Sequence, residues 1–151
     1  MDATDRKALA ALLDRGRMTW AELGELLGLS PPAAAERVHR LEERGVIRGF
    51  TAMVDPDAAG YPVLAFVFVT LENQSRRAGF LEAIRGHGAI LECHHVAGED
   101  DYLLKVRCPS MKQLDQLLSN DLKTQLGVAR TRTTIILGTA KETSKLLIEQ
   151  I

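Results

Sequence analysis

Residues 19–45 read TWAELGELLGLSPPAAAERVHRLEERG. Thr19-Trp-Ala-Glu22 has the spacing of a capping box, in which the Thr hydroxyl and the Glu carboxylate each take up a backbone N–H left free at a helix start. A helix therefore begins at Trp20, and it stops at Gly28. After Leu29 a second cap appears, Ser30, followed by Pro31 at the first helical position, where a missing N–H costs nothing. This second helix closes at Gly45. Two short helices joined by so few residues predict a helix-turn-helix, whose second helix fits a major groove about 12 Å wide.

At about 100° per residue, with Ala34, Val38 and Leu41 as the buried stripe, the opposite face of that helix carries Pro32, Glu36, His39, Arg40 and Glu43. Ala33 and Arg37 flank it. Arg37 and Arg40 are the expected base or phosphate contacts, and Ser30 with the helix N-terminus suits a phosphate. Arg44 and Arg48 reach the flanking backbone. The expected DNA-binding set is therefore Ser30, Pro32, Ala33, Glu36, Arg37, His39, Arg40, Arg44 and Arg48. Glu36 either accepts from cytosine N4 or pairs with Arg40 four residues on, and both readings stay open. Taken alone, the arginines fit a solvated helix face of Glu–Arg pairs equally well.

Moving outward, Leu9, Leu12 and Leu13 continue the helical spacing toward the N-terminus, so three short helices follow one another up to Glu43. After about residue 50 the pattern changes. Val63 to Leu71, VLAFVFVTL, is a run of β-branched and aromatic residues and predicts a strand. The intervening Asp55-Pro-Asp-Ala-Ala-Gly60-Tyr-Pro62 breaks any regular element. The expected domains are 1–54, a connector 55–62, and 63–151. The second half reads as strand 63–71, helix 76–87, strand 89–97, the polar turn Gly98-Glu-Asp-Asp101, strand 102–108, helix 110–126 and strand 128–138. That order, βαββαβ, predicts an α+β class domain with a ferredoxin-like sheet and both helices on one face.

In the first strand Leu64, Phe66 and Phe68 project to one side, and Val63, Ala65, Val67, Val69 and Leu71 to the other. Both sides are apolar. Helices cover one, and the other would be an apolar patch that soluble monomers seldom expose. A homodimer packed sheet against sheet is the expected solution, with coverage by the N-terminal helices as the alternative.

A chain of 151 residues with 46% hydrophobic content can form a packed core. No run approaches the roughly 18 apolar residues of a membrane span, and the charged, helix-patterned start does not resemble a secretion signal. Cys93 and Cys108 form neither a disulfide framework nor a metal-ligand spacing, so a cytoplasmic protein without cofactor is expected. The net charge of −1 excludes general attraction to phosphate, so any DNA contact must be local.

The stretch from Leu12 to Tyr61 resembles the winged helix-turn-helix of the leucine-responsive and asparagine-responsive regulator family, Lrp/AsnC. Gly28-Leu-Ser30, Arg37-Val38, the Leu41 to Ile47 run that closes the third helix, and Phe50-Thr-Ala52, which opens a hinge strand, carry the likeness. In the second half, Glu92-Cys93, Val96-Ala-Gly98 with Asp101-Tyr-Leu-Leu104, and Gly127 to Thr133 resemble that family's effector domain. The resemblance implies a transcription regulator on double-stranded DNA, associated with the nucleoid, dimeric through the βαββαβ domain and assembling further into tetramers of dimers, with homo-octamers as the result. It also implies a small effector, usually an amino acid, between subunits. The effector-site candidates are Gly98, Glu99, Asp100, Asp101 and Thr133. The turn at Gly98 would bring backbone N–H groups to a carboxylate, and Asp101 would hold the ammonium. Composition alone makes this turn a plain hairpin with solvated acids. Two departures stand out. Asp100 occupies a position where the family often has an aromatic, which implies a more acidic pocket, and Gly24 replaces a common Ala at about 1 kcal/mol of helix propensity.

Two competing readings follow. Some tetrapyrrole decarboxylases resemble this family and use histidines, which draws notice to His94 and His95. Consecutive strand residues point to opposite faces, though, so only Cys93 and His95 share a side, and no third ligand or nucleophile–base pair accompanies them. An enzyme is therefore not expected. An architectural protein that coats DNA without any ligand is the other reading, distinguished by weak sequence preference and no stabilisation by amino acids.

Overall fold

The structure, a computed structural model, describes residues 1–148. Contacts divide it into two units, residues 1–53 with those from Lys141 on, and Val54–Ala140. This differs from the expected boundaries at both ends. The connector folds as consecutive turns within the second unit, where Tyr61 N–H donates to the Pro56 carbonyl at 2.7 Å and Arg107 donates to the Tyr61 carbonyl at 3.4 Å. Residues 141–148 group with the first unit, in which Lys145 pairs with Asp14.

The first unit has three helices, α1 (Ala3–Asp14), α2 (Trp20–Leu27) and α3 (Pro31–Glu43). The two caps predicted for α2 and α3 are formed. Thr19 and Glu22 satisfy each other's backbone N–H groups at 2.7 and 3.2 Å, and Ser30 Oγ accepts from Ala33 N–H at 3.4 Å. Ala8, Leu12, Leu23, Ala34 and Val38 form a small core, with Met18, Leu27 and Ile47 packed against it. Gly24 lies where α2 meets the turn into α3. A Cβ there would stand 2.7 Å from the Leu29 carbonyl oxygen. The glycine lets the turn close onto the helix, and that gain offsets the propensity it gives up.

No strand forms between α3 and residue 62. The expected wing and the hinge strand opening at Phe50 do not form, and residues 44–62 hold only turns and irregular backbone. Phe50, Met53 and Val54 are exposed. A strand needs a neighbouring backbone to bond with, and among the described residues this segment makes no strand pairing.

The second unit is a four-stranded antiparallel sheet in the order β2-β3-β1-β4, built from β1 (Val63–Leu71), β2 (Ile90–His95), β3 (Tyr102–Cys108) and β4 (Val128–Ile135). Helix α4 (Arg77–Gly86) follows β1. Helix α5 (Met111–Gln116) runs on as a π-helical stretch, Leu117–Gln125, where the expectation was one α-helix over 110–126. The wider turn suits the spacing of Leu117 and Leu122, five residues apart and both buried, and Thr124 Oγ1 donates to the Ser119 carbonyl within it. Ala65, Val67, Val69 and Leu71 of β1 join Tyr102, Leu104, Val106 and Cys108 of β3 on the helix-covered side, packed with Phe80, Ile84 and Leu114. Each such apolar side chain fully buried contributes about 1.5–3 kcal/mol. Register places Phe66 and Phe68 on the opposite face, beside Lys105 and Leu103.

Candidate functional site

On α3, Pro32, Ala33, Glu36, His39 and Arg40 are exposed, as the helical spacing requires, and so are Ser30, Arg44 and Arg48 flanking the helix. Arg40 Nε stands 3.8 Å from Glu36 Oε1, a loose pair on the surface. His39 lies 3.3 Å from Glu43 Oε1 and 3.9 Å from Glu42 Oε2. The face therefore balances acid against base, consistent with a chain of nearly zero net charge.

Arg37 departs from the expectation. Its Nη1 donates to Asp2 Oδ2 and to Asp5 Oδ1, both at 2.6 Å, and its side chain is 23% exposed against 58% for Arg40. The two acids also form the capping box of α1, with Asp5 N–H donating to Asp2 Oδ1 at 2.7 Å and Asp2 N–H to Asp5 Oδ2 at 3.0 Å. Asp2 is held below the usual carboxylate range, first by the Asp5 backbone N–H and then by Arg37. For Asp5 burial pushes upward, yet the Asp2 backbone N–H and Arg37 outweigh it and the net direction is down. The Arg37 guanidinium is pushed up by the same two bonds. Sequence reading missed Asp2 and Asp5. Their spacing of three residues before a helical run is a visible capping signal, but a partner more than thirty residues away leaves no local trace.

In the second unit the turn Gly98–Asp101 leaves β2 and enters β3. Gly98 has φ +148°, a conformation L side chains rarely adopt. Asp101 extends the sheet: its N–H donates to the Val69 carbonyl, and its Oδ2 accepts from Leu71 N–H, each at 2.8 Å. Glu99 is exposed. Asp100 is enclosed, its side chain 5% exposed, and it accepts from Arg132 at 3.0 Å, Thr70 Oγ1 at 3.1 Å and Arg130 at 3.4 Å. The bond from Arg132 is the main influence lowering its pKa, against burial, with Thr70 and Arg130 adding to it. The acidic pocket expected from Asp100 is thus corrected, because its charge is met by two arginines. Arg132 also lies over the Phe68 ring, 4.0 Å from its centre. Thr133 does not join this group. It pairs with Val67, on the helix-covered side of β4, while Arg130 and Arg132 pair with Thr70 and Phe68 on the other.

The histidines separate as alternation requires. His94 Nε2 is 3.0 Å from Glu92, which also takes Lys105 at 3.3 Å, and the His95 ring packs against Tyr102 with centres 5.3 Å apart. Burial raises both cysteine thiols, so neither is a reactive thiolate at neutral pH. Among the described residues, no three His, Cys, Asp or Glu side chains stand close enough to hold a metal ion, and no helix is long and apolar enough to cross a membrane.

A capped helix-turn-helix with an exposed, charged second helix, joined in one chain to a separate antiparallel α+β domain, defines a DNA-binding regulator with a sensory module. Sequence comparison agrees with each half. The AsnC-type helix-turn-helix domain matches residues 1–42, and the Lrp/AsnC ligand binding domain matches residues 64–146. The leucine-responsive regulatory protein of Escherichia coli K12 is 38% identical over 151 residues, covering 99% of this chain and 92% of its own. Among solved structures, the feast or famine regulatory protein of M. tuberculosis complexed with L-methionine superposes with a TM-score of 0.89 at 37% identity, covering 98% of this chain and 99% of that one. A transcriptional regulator of Neisseria meningitidis in complex with L-Met gives 0.90 at 30% identity, with 97% and 96% covered. The chain belongs to the Lrp/AsnC family of DNA-binding transcription regulators. These relatives are regulatory proteins.

Proposed function

We propose that the chain works as a homodimer in the cytoplasm, binds duplex DNA of the nucleoid through α3, and changes its DNA binding or assembly when an amino acid occupies a site between subunits at the Gly98–Asp101 turn. The observation that carries the dimer is the sheet face turned away from α4 and α5, where Phe66, Phe68 and Leu103 keep partial exposure although Leu64 beside them is buried. A second copy laid against it removes that apolar surface from water at about 25 cal/mol per Å². The unpaired, exposed segment around Phe50 gives further surface for pairing. Dimers joining into tetramers of dimers would produce an octamer.

The effector reading is supported by the methionine complexes of two structural neighbours and by the turn itself. Asp101 has one carboxylate oxygen on Leu71 N–H, and Glu99 stands exposed beside it. Each is an acceptor for an ammonium group. Gly98 leaves its backbone open, with no atom within 4 Å of where a side chain would begin.

A thermal-shift screen of the twenty amino acids tests the sensor. A ligand of the native state stabilises it by about 2.7 kcal/mol at a hundredfold excess over Kd, and Tm rises accordingly. Stabilisation by one amino acid or a small set, lost on Asp101→Ala with DNA binding retained, is the expected result. No response to any of them, with weak sequence preference on DNA, would leave an architectural protein. A single subunit in sedimentation at micromolar concentration would overturn the dimer.

A further inference from the structure

Of the two arginines within α3, only one faces outward. We infer that Arg37 is a positioning residue: clamped by Asp2 and Asp5, it fixes the recognition helix against the start of α1, and Arg40 is left as the arginine of that helix that meets DNA. The inference rests on the reading of α3 as the DNA-contacting helix.

Each aspartate divides its oxygens. Asp2 Oδ1 and Asp5 Oδ2 cap the free N–H groups of α1, while Asp2 Oδ2 and Asp5 Oδ1 converge on one guanidinium nitrogen. A guanidinium held this way by two carboxylates has exchanged its water for charge-assisted bonds, and reaching a phosphate would mean breaking both. With the Asp5 side chain 10% exposed, the clamp is partly shielded from solvent. It also joins elements far apart in sequence, the first turn of α1 and the middle of α3. Close by, Arg40, Glu43 and Arg44 line a cavity of about 390 Å³ with Asp2, Asp5 and Arg37, so the clamp adjoins the residues around Arg40. The remaining cation of the helix body, Arg40, has only the loose 3.8 Å contact to Glu36 to release.

The test turns on a sign. Asp5→Asn removes a negative charge from a DNA-binding unit while keeping an oxygen acceptor for the α1 cap. If Arg37 were merely restrained from contacting DNA, the variant would bind more tightly, with a steeper salt dependence. A positioning role predicts the opposite, binding weaker by about threefold to tenfold. Affinity of the full-length protein is measured by fluorescence anisotropy across a salt series, on a duplex recovered by selection from randomised DNA on the wild-type protein. Arg37→Gln should weaken binding by a similar factor, leave the slope of log K against log salt unchanged, and select the same sequence. Arg40→Gln should lower that slope by about one or relax one base position of the selected sequence. Should Asp5→Asn prove unfolded, Asp2→Asn on the exposed partner keeps the N-cap and carries the same expectation of sign. Tighter binding by either Asn variant, or a slope reduced by about one in Arg37→Gln, overturns the proposal. An Arg40→Gln protein with unchanged affinity and unchanged selection would remove α3 from the interface, and the inference with it.

Discussion

Each unit sets carboxylates against arginines, with a carboxylate enclosed in both and an arginine enclosed in only one. In the helical unit Arg37 and Asp5 are enclosed and Asp2 reaches solvent, whereas in the sheet unit Asp100 is enclosed and Arg130 and Arg132 are 59% and 61% exposed. A charge that has lost its water depends on its partners, while an exposed partner that loses its mate simply returns to water. The difference teaches that removing the outer members of a cluster should cost more than removing the inner one.

The strongest way to break this comparison is the double variant Arg130→Ala with Arg132→Ala, which leaves Asp100 enclosed with only the Thr70 hydroxyl. The melting temperature of the sheet unit is expected to fall by about 5–10 °C. Asp100→Leu, which frees two arginines already in water, should cost less than half as much. The sequence supplies separate reporters. The sole tryptophan, Trp20, lies in α2, and both tyrosines, Tyr61 and Tyr102, lie in the sheet unit. Tyrosine near-ultraviolet dichroism should therefore shift while Trp20 fluorescence does not. If Asp100→Leu proves the more damaging, the carboxylate is contributing something other than charge balance.

Acid should act on both units in the same direction. Asp2, Asp5 and Asp100 are all lowered in the folded state, so they bind fewer protons than the unfolded chain near its carboxylate pKa of about 3.9. Their contribution is fully present above that value and is lost as pH falls through the lower folded values. Melting followed by Trp20 and by the tyrosines should show both transitions falling below about pH 4, by several degrees per unit. In Arg37→Gln the Trp20 transition should lose only the part of that dependence that Arg37 adds to the α1 capping bonds, while the tyrosine transition keeps its own in full. A Trp20 transition equally acid-sensitive in the variant would mean that Asp2 and Asp5 are lowered by the α1 cap alone.

How far such features were legible in the sequence follows from how local they are. The boundaries of α2 and α3, with the caps at Thr19 and Ser30, depend on spacings of three residues and appear in the chain as written. The βαββαβ order and the two faces of β1 follow from alternation. The same alternation places Thr133 on the face opposite Arg132. What stayed hidden involves partners distant in sequence: Arg37 with Asp2 and Asp5, and Asp100 with Arg130 and Arg132. The missing hinge strand belongs with these, since a strand forms only where a partner edge pairs with it, and a local pattern does not show one. Gly24 shows the same limit at short range. Helix propensity alone predicts that Gly24→Ala stabilises by about 1 kcal/mol, but the 2.7 Å approach of the Leu29 carbonyl predicts a net loss of similar size, read as a Trp20 transition lowered by about 4 °C.

The smallest effect sharpens the comparison within a single cluster. Arg130 and Arg132 are equally exposed and both reach Asp100, but Arg132 is closer, 3.0 against 3.4 Å, and also lies over Phe68. If charge alone mattered, either arginine could stand in for the other, and the two single alanine variants would melt alike. The stacked guanidinium adds a cation–π contribution of about 0.5–1 kcal/mol at an exposed site. Arg132→Ala should therefore lower the tyrosine transition by a few degrees and Arg130→Ala by about 1 °C or less. Arg132→Lys separates the two contributions, since it keeps the charge but gives up the planar face that rests on the ring. Melting of the lysine variant midway between wild type and Arg132→Ala would assign the remainder to the Phe68 contact, and melting at the wild-type value would reduce the arginine's role to charge.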